Sequence, residues 1–192
     1  MNVGIVVEGP DDVAVYPVLV KRIDRGIERV HPRECGGRRK LGDKFVVFLR
    51  EFAGNPAAFG IRKVFVILDS DCADAGHIEG GLREIFDRSG LRPPFEVSFH
   101  ATKCKIESWL LADEEAINRV STRRGGCDGV GRIDTDLEEL KEADRVYGQV
   151  LSRVGLQDTV SVMREIASSA DLDRIAQRCP GFNSFRRKAA VP

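Results

Sequence analysis

Lys63-Val64-Phe65-Val66-Ile67-Leu68-Asp69-Ser70-Asp71 decides the fold. The apolar residues Val64 to Leu68 run without polar alternation, the pattern of a strand covered on both faces at the centre of a parallel sheet. Upstream, Asn2 to Val7 is a second β-branched run, ending at Glu8-Gly9-Pro10, where the chain turns. Downstream, a helix is predicted from about Ile78 to Arg88, with Leu82, Ile85 and Phe86 inward. Gly90 and Pro93-Pro94 then lead to a strand at Phe95 to His100.

Between the first two runs, Asp11-Asp12 can cap a helix whose inward stripe is Val13, Val15, Val18, Leu19 and Ile23, with Pro17 expected to kink it and Gly26 to end it. A short strand at about Glu28 to Arg33 follows, then the glycine-hinged loop Cys35-Gly36-Gly37-Arg38-Arg39-Lys40. Phe45, Phe48, Leu49 and Phe52 fall at helical spacing, which favours helix over the β-looking Phe-Val-Val-Phe. Ile106 to Val120 reads as one helix, Ile106, Trp109, Leu110 and Ile117 inward, Glu107 and Asp113 on other faces. Ser121 to Asp134, rich in glycine and arginine, reads as a linker or mobile loop. Helices are predicted at about Asp136 to Val154, Thr159 to Ser168 and Leu172 to Arg178, before Cys179-Pro180-Gly181. Alternating strands and helices predict an α/β unit over residues 1–120, with a parallel sheet of about four strands. Residues 121–192 form a helical extension packed on it.

The chain of 192 residues fits one domain, with or without a small appendage. Thirty Lys and Arg balance thirty Asp and Glu, which excludes a global field drawing the molecule onto a polyanion, so any such contact is local. No apolar run approaches the roughly 18 residues of a membrane span. The first residues read as a buried strand and not a secretory signal. Five widely spread cysteines without a Cys-x-x-Cys pair favour reduced thiols in the cytoplasm and argue against structural zinc. Neither Walker nor dinucleotide glycine spacing occurs.

Glu8 follows the first strand, and Asp69 with Asp71 follows the central one. In an open parallel sheet these strand ends share the edge where ligands bind, so the three acids can converge. Hard divalent cations take oxygen ligands from such a set, and the carboxylates repel one another without one. The plainer alternative is that Glu8 caps a turn while Asp69 and Asp71 cap the next helix.

Ile5-Val6-Val7-Glu8-Gly9 followed by Val66-Ile67-Leu68-Asp69-Ser70-Asp71 resembles the TOPRIM domain shared by topoisomerases, bacterial primases, ribosomal RNA maturases and OLD-type nucleases. Lys105-Ile106-Glu107-Ser108-Trp109-Leu110-Leu111-Ala112-Asp113 and Cys179-Pro180-Gly181-Phe182-Asn183-Ser184-Phe185 are similar to a group of small prokaryotic TOPRIM proteins related to the OLD nucleases. The resemblance implies a TOPRIM-like, Rossmann-like fold, with Glu8, Asp69 and Asp71 binding Mg2+ (or Mn2+) for phosphodiester chemistry. It also implies Glu107 as a ligand of a second ion, and a partner ATPase. One departure is Ala73, where many members carry a third aspartate; Asp74 stands beside it.

Lys103 and Lys105, just after the fourth strand, are the nearest cations by topology to stabilise a leaving group or phosphate charge. Arg33, Arg38, Arg39 and Lys40 form the best phosphate-binding cluster for DNA or RNA. Arg123 with Arg124, and Arg186-Arg187-Lys188, are weaker ones. His100 and Trp109 read as structural. Cys72 directly follows Asp71, so its oxidation bears on the same site. The expected function is a Mg2+-dependent TOPRIM-type nuclease. The alternatives are a non-catalytic nucleic-acid-binding or regulatory module and, ranked lowest, a haloacid dehalogenase-like phosphatase, for which Ala73 stands at the wrong place.

Overall fold

The computed structural model describes residues 1–127 and 129–190. Four parallel strands, β1 (Asn2–Val7), β2 (Arg29–Glu34), β3 (Ile61–Asp69) and β4 (Glu96–Thr102), form one sheet in the order β2-β1-β3-β4. The helix α1 (Pro10–Ile23) links β1 to β2, α2 (Arg38–Gly54) and the single turn α3 (Pro56–Phe59) link β2 to β3, and α4 (Ala75–Arg88) links β3 to β4. After the sheet come α5 (Ile106–Leu111), α6 (Glu114–Arg123), a 3-10 turn (Leu137–Glu139), α7 (Ala143–Arg153), α8 (Val160–Ser169), α9 (Leu172–Arg178) and α10 (Pro180–Ala189). This is a helix-flanked α/β sheet consistent with a Rossmann-like fold. Among the described residues no helix is long and apolar enough to cross a membrane.

The central strands feed both faces at once, as their unbroken apolar runs require. Val3, Ile5 and Val7 of β1 with Phe65 and Ile67 of β3 pack on α1 and on the helices that follow the sheet. Val6, Val64, Val66 and Leu68 face the opposite way, toward Leu41, Phe45, Leu49 and Phe52 of α2 and Leu82 of α4. Residues after position 120, including Tyr147, Ile166, Phe182 and Phe185, belong to the first of these cores. On the α2 side, Gly4 lets β1 lie against the helix: a Cβ there would stand 2.9 Å from Phe52 and 3.0 Å from Val64. Gly4→Ala is therefore expected to destabilise the protein by about 1–3 kcal/mol through overpacking, read as a lowered denaturation midpoint at constant m-value.

The structure departs from the sequence reading at several places. Arg38, Arg39 and Lys40 are the first turn of α2 and not part of a loop. The helix predicted over Ile106 to Val120 breaks at Ala112-Asp113, because the Asp113 carboxylate is buried and accepts from the Asp171 amide (2.7 Å) and from Arg174 (3.1 Å). The helix predicted at Asp136 to Val154 is a 3-10 turn followed by α7. Beyond the predicted Leu172 to Arg178 helix, Cys179-Pro180-Gly181 starts a further helix that the sequence reading did not give, with Pro180 at the first helical position, where its missing N–H has no partner to lose. Cys72 and Cys104 are joined in a disulfide, so the expectation of reduced thiols fails for this pair; Cys35, Cys127 and Cys179 are free. Helix α1 runs through Pro17, and its N-cap is Gly9, whose N–H donates to Asp12 (3.0 Å).

Candidate metal centre

Strand order reverses between β1 and β3, so their carboxyl ends flank a topological switch point, the place where open α/β sheets bind ligands. Glu8 leaves β1 and Asp69 ends β3 at this point, and Glu8 Oε1 accepts from the Asp69 N–H at 3.1 Å. A cleft of about 450 Å³ opens here, its lining including Glu8, Asp12, Asp69 and Glu107 together with Gly36 and Gly37. Asp71 stands one step outward, exposed, with its Oδ2 2.6 Å from Arg38 Nη1. The helix-cap alternative for Asp69 and Asp71 does not hold: α4 is capped by Asp74, whose Oδ1 accepts from the His77 N–H at 2.6 Å.

Asp12 was outside the acid set read from sequence, and the structure brings it in. Its place at the third position of α1 explains it as a cap, and that local role hides the second one. Burial, and then the charges of Glu8, Glu107 and Asp11, push its carboxyl up to about 7 against the opposing Gly9 hydrogen bond. Asp69 is held well above the usual carboxylate range by burial and by Asp12, Glu107, Glu8 and Asp71. Burial also raises Glu107 and Glu8, the latter against the pull of the Asp69 N–H and Arg38.

Two oxygens in this cluster, Asp69 Oδ1 and Glu107 Oε2, are shielded from solvent and have no hydrogen-bond partner. A shielded polar atom without a partner costs free energy that a bound ligand can return. The donor set is carboxylate oxygen throughout, which fits a hard divalent cation in kind. Among the described residues, no three ligating side chains stand close enough together to hold an ion as they are placed.

The raised carboxyls fix a pH dependence. Between the unfolded value near 3.8 and about 7, Asp12 is protonated in the folded chain and ionised in the unfolded one. The native state then binds more protons, so stability falls as pH rises through this window. Melting temperature without added metal is expected to decline from about pH 4 to about pH 7, and Asp12→Asn to flatten the decline.

The sequence-predicted cations divide. Lys105 reaches the edge of the cluster and pairs with Asp144 of α7 at 2.7 Å. Burial alone would lower its pKa, but the Asp144 hydrogen bond and the charges of Asp144, Glu107 and Asp71 hold it above the ordinary value. Lys103 pairs with Glu139 at the surface. Arg38 lies on Asp71, while Arg39 and Lys40 are exposed and make no ion pair among the described residues. Arg33 is committed elsewhere: it bonds Glu51 at 2.6 Å and lies over the rings of Phe52 and Phe59. It braces β2 against α2 and does not join a phosphate-binding cluster. Of the other basic clusters, Arg124 is tied to Glu165 and Ser161, Arg186 to Asp173 and Lys188 to Glu79. His100 and Trp109 are buried among aromatic rings, and burial, with Lys188, lowers the His100 pKa to about 3, so it is neutral.

Comparison of the chain with family models, curated proteins and solved structures finds no match.

Proposed function

We propose that the protein is a Mg2+-dependent phosphodiesterase of the TOPRIM type, a nuclease on DNA or RNA. One observation carries the reading: at the switch point of the sheet, a cluster of mutually repelling carboxylates holds two shielded oxygens, Asp69 Oδ1 and Glu107 Oε2, that nothing in the chain satisfies. Glu8, Asp69, Asp71 and Glu107, with Asp12 added, are the residues that would hold Mg2+ or Mn2+. Such a cation, when bound, neutralises a bridging phosphate and lowers the pKa of water for in-line attack.

The chain's own groups divide the remaining work. Glu8 orients the turn after β3 through the Asp69 N–H. Arg38, on Asp71, stands beside Arg39 and Lys40 in the first turn of α2, where the three cations could meet phosphate oxygen. Lys105, paired with Asp144 and within reach of the charges of Glu107 and Asp71, could meet charge developing on a leaving oxygen. The resemblance in the Ile-Glu-x-Trp segment extends the proposal to a partner ATPase that gates the site.

Labelled single- and double-stranded DNA and RNA, incubated with Mg2+, Mn2+ or chelator, test the reading. Cleavage is expected with metal and lost with chelator. Intact substrate under every condition, from a protein that binds the metal, would favour the non-catalytic module instead.

A further inference from the structure

The Cys72–Cys104 disulfide joins the two segments that carry the acids of the site, one after β3 and one leading to Glu107. Cys72 directly follows Asp71 after β3, and Cys104 lies between Lys103 and Lys105 on the way to Glu107. These loops are zipped together beneath the bond. The Ser70 N–H donates to the Thr102 carbonyl (2.8 Å), the Asp71 N–H to the Cys104 carbonyl (3.0 Å), and the Cys104 N–H to Ser70 Oγ (3.1 Å). Among the described residues, the non-glycine positions with positive φ are Asp71 (49°), Cys72 (62°) and Cys104 (56°). L-residues avoid this region unless their surroundings hold them there, and here all three gather around one covalent bond. In that conformation the Asp71 carboxylate turns onto Arg38.

We propose that this disulfide is a reversible lock on the carboxylate site, and that its reduction by a dithiol raises the affinity of the site for a divalent cation. The inference rests on the cation reading of the site given above. Cys72 is half-buried while Cys104 is fully buried, so the reductant's thiolate attacks Cys72 Sγ. The S–S bond breaks and Cys104 leaves as a thiolate, which takes a proton. The reductant's second thiolate then displaces Cys72 from the mixed disulfide and closes the reductant's own disulfide. Two electrons and two protons pass from dithiol to protein. The reduced form has a place for its new S–H, because Cys104 Sγ lies 3.0 Å from the Glu138 carbonyl oxygen. Glu138 is itself anchored by the Gly181 N–H. Free of the bond, Asp71 and Cys72 can leave their left-handed conformation, releasing Asp71 from Arg38 toward Asp69 and Glu8.

The test is a Mn2+ titration by calorimetry on the full chain in a Cys127→Ser background, which removes the exposed free thiol. Oxidised and dithiol-reduced samples are compared, with the redox state fixed by thiol counting. Reduced protein is expected to bind Mn2+ about tenfold more tightly than oxidised protein. Cys72→Ser and Cys104→Ala, measured separately, are expected to bind like the reduced form whatever the redox treatment. Equal affinity in both states overturns the lock while leaving the cation reading in place. No binding in either state, with the disulfide verified in one and absent in the other, overturns the cation reading and the lock with it.

Discussion

Asp69→Asn is expected to lower metal-dependent cleavage on the order of 10³-fold while making the protein more stable above pH 7. Both effects have the same cause. Asp69 is surrounded by Asp12, Glu107, Glu8 and Asp71, and its Oδ1 has no partner. Without a cation, ionising it is opposed by burial and by four like charges. An amide of the same shape removes that charge, which is expected to add roughly 1–2 kcal/mol, or about 2–8 °C in melting temperature for a chain of this size. The same replacement removes a cation ligand and the transition-state stabilisation the cation supplies. Activity and thermal melts at pH 8, measured on one preparation, check the pair together. Undiminished cleavage would sink the proposed role of Asp69. A stability loss in place of a gain would show that the carboxylate is satisfied by the fold.

Asp113→Ala is expected to have the largest effect on stability, with no direct part in chemistry. This carboxylate is 1% exposed and receives the Asp171 N–H, Arg174 and Arg119, joining the corner between α5 and α6 to the turn between α8 and α9. Its removal strands the backbone N–H of Asp171 and takes a buried carboxylate from Arg174 and Arg119, which among the described residues keep only Glu115 as an ion-pair partner. A loss of about 3 kcal/mol is expected, or roughly 6–12 °C in melting temperature. Asp113→Asn keeps an acceptor for the Asp171 N–H and is expected to lose less than half as much. Thermal melts of the two variants decide the matter, and a loss below about 1 kcal/mol for the alanine would remove the network from the account.

Local pattern and tertiary pairing explain which features the sequence displayed. The continuous runs Val3–Val7 and Val64–Leu68 can only be central strands, because both their faces find a core, and Glu8 and Asp69 follow from where those runs stop. Asp12 was hidden because a third-position helix acid already has a sufficient local explanation in its bond to the Gly9 N–H. The break at Asp113 left no trace in the apolar stripe, since Ile106, Trp109, Leu110 and Ile117 keep helical spacing across it and the cause lies some 60 residues away in Asp171. The disulfide was equally out of reach. Cys72 and Cys104 are 32 residues apart, and they meet only because β3 and β4 pair with Asp69 beside Thr102. Arg33 looked like part of a basic patch because its partners, Glu51, Phe52 and Phe59, lie on a different pair of elements.

The cation reading is tested most directly by diffraction at the manganese absorption edge from crystals grown with a dithiol reductant and soaked in Mn2+. The account predicts an anomalous peak among Glu8, Asp69 and Glu107, coordinated by Asp69 Oδ1 and Glu107 Oε2, and absent from Asp69→Asn crystals treated identically. Ordered carboxylates at the switch point with no peak between them, or a peak that persists in Asp69→Asn, would contradict it.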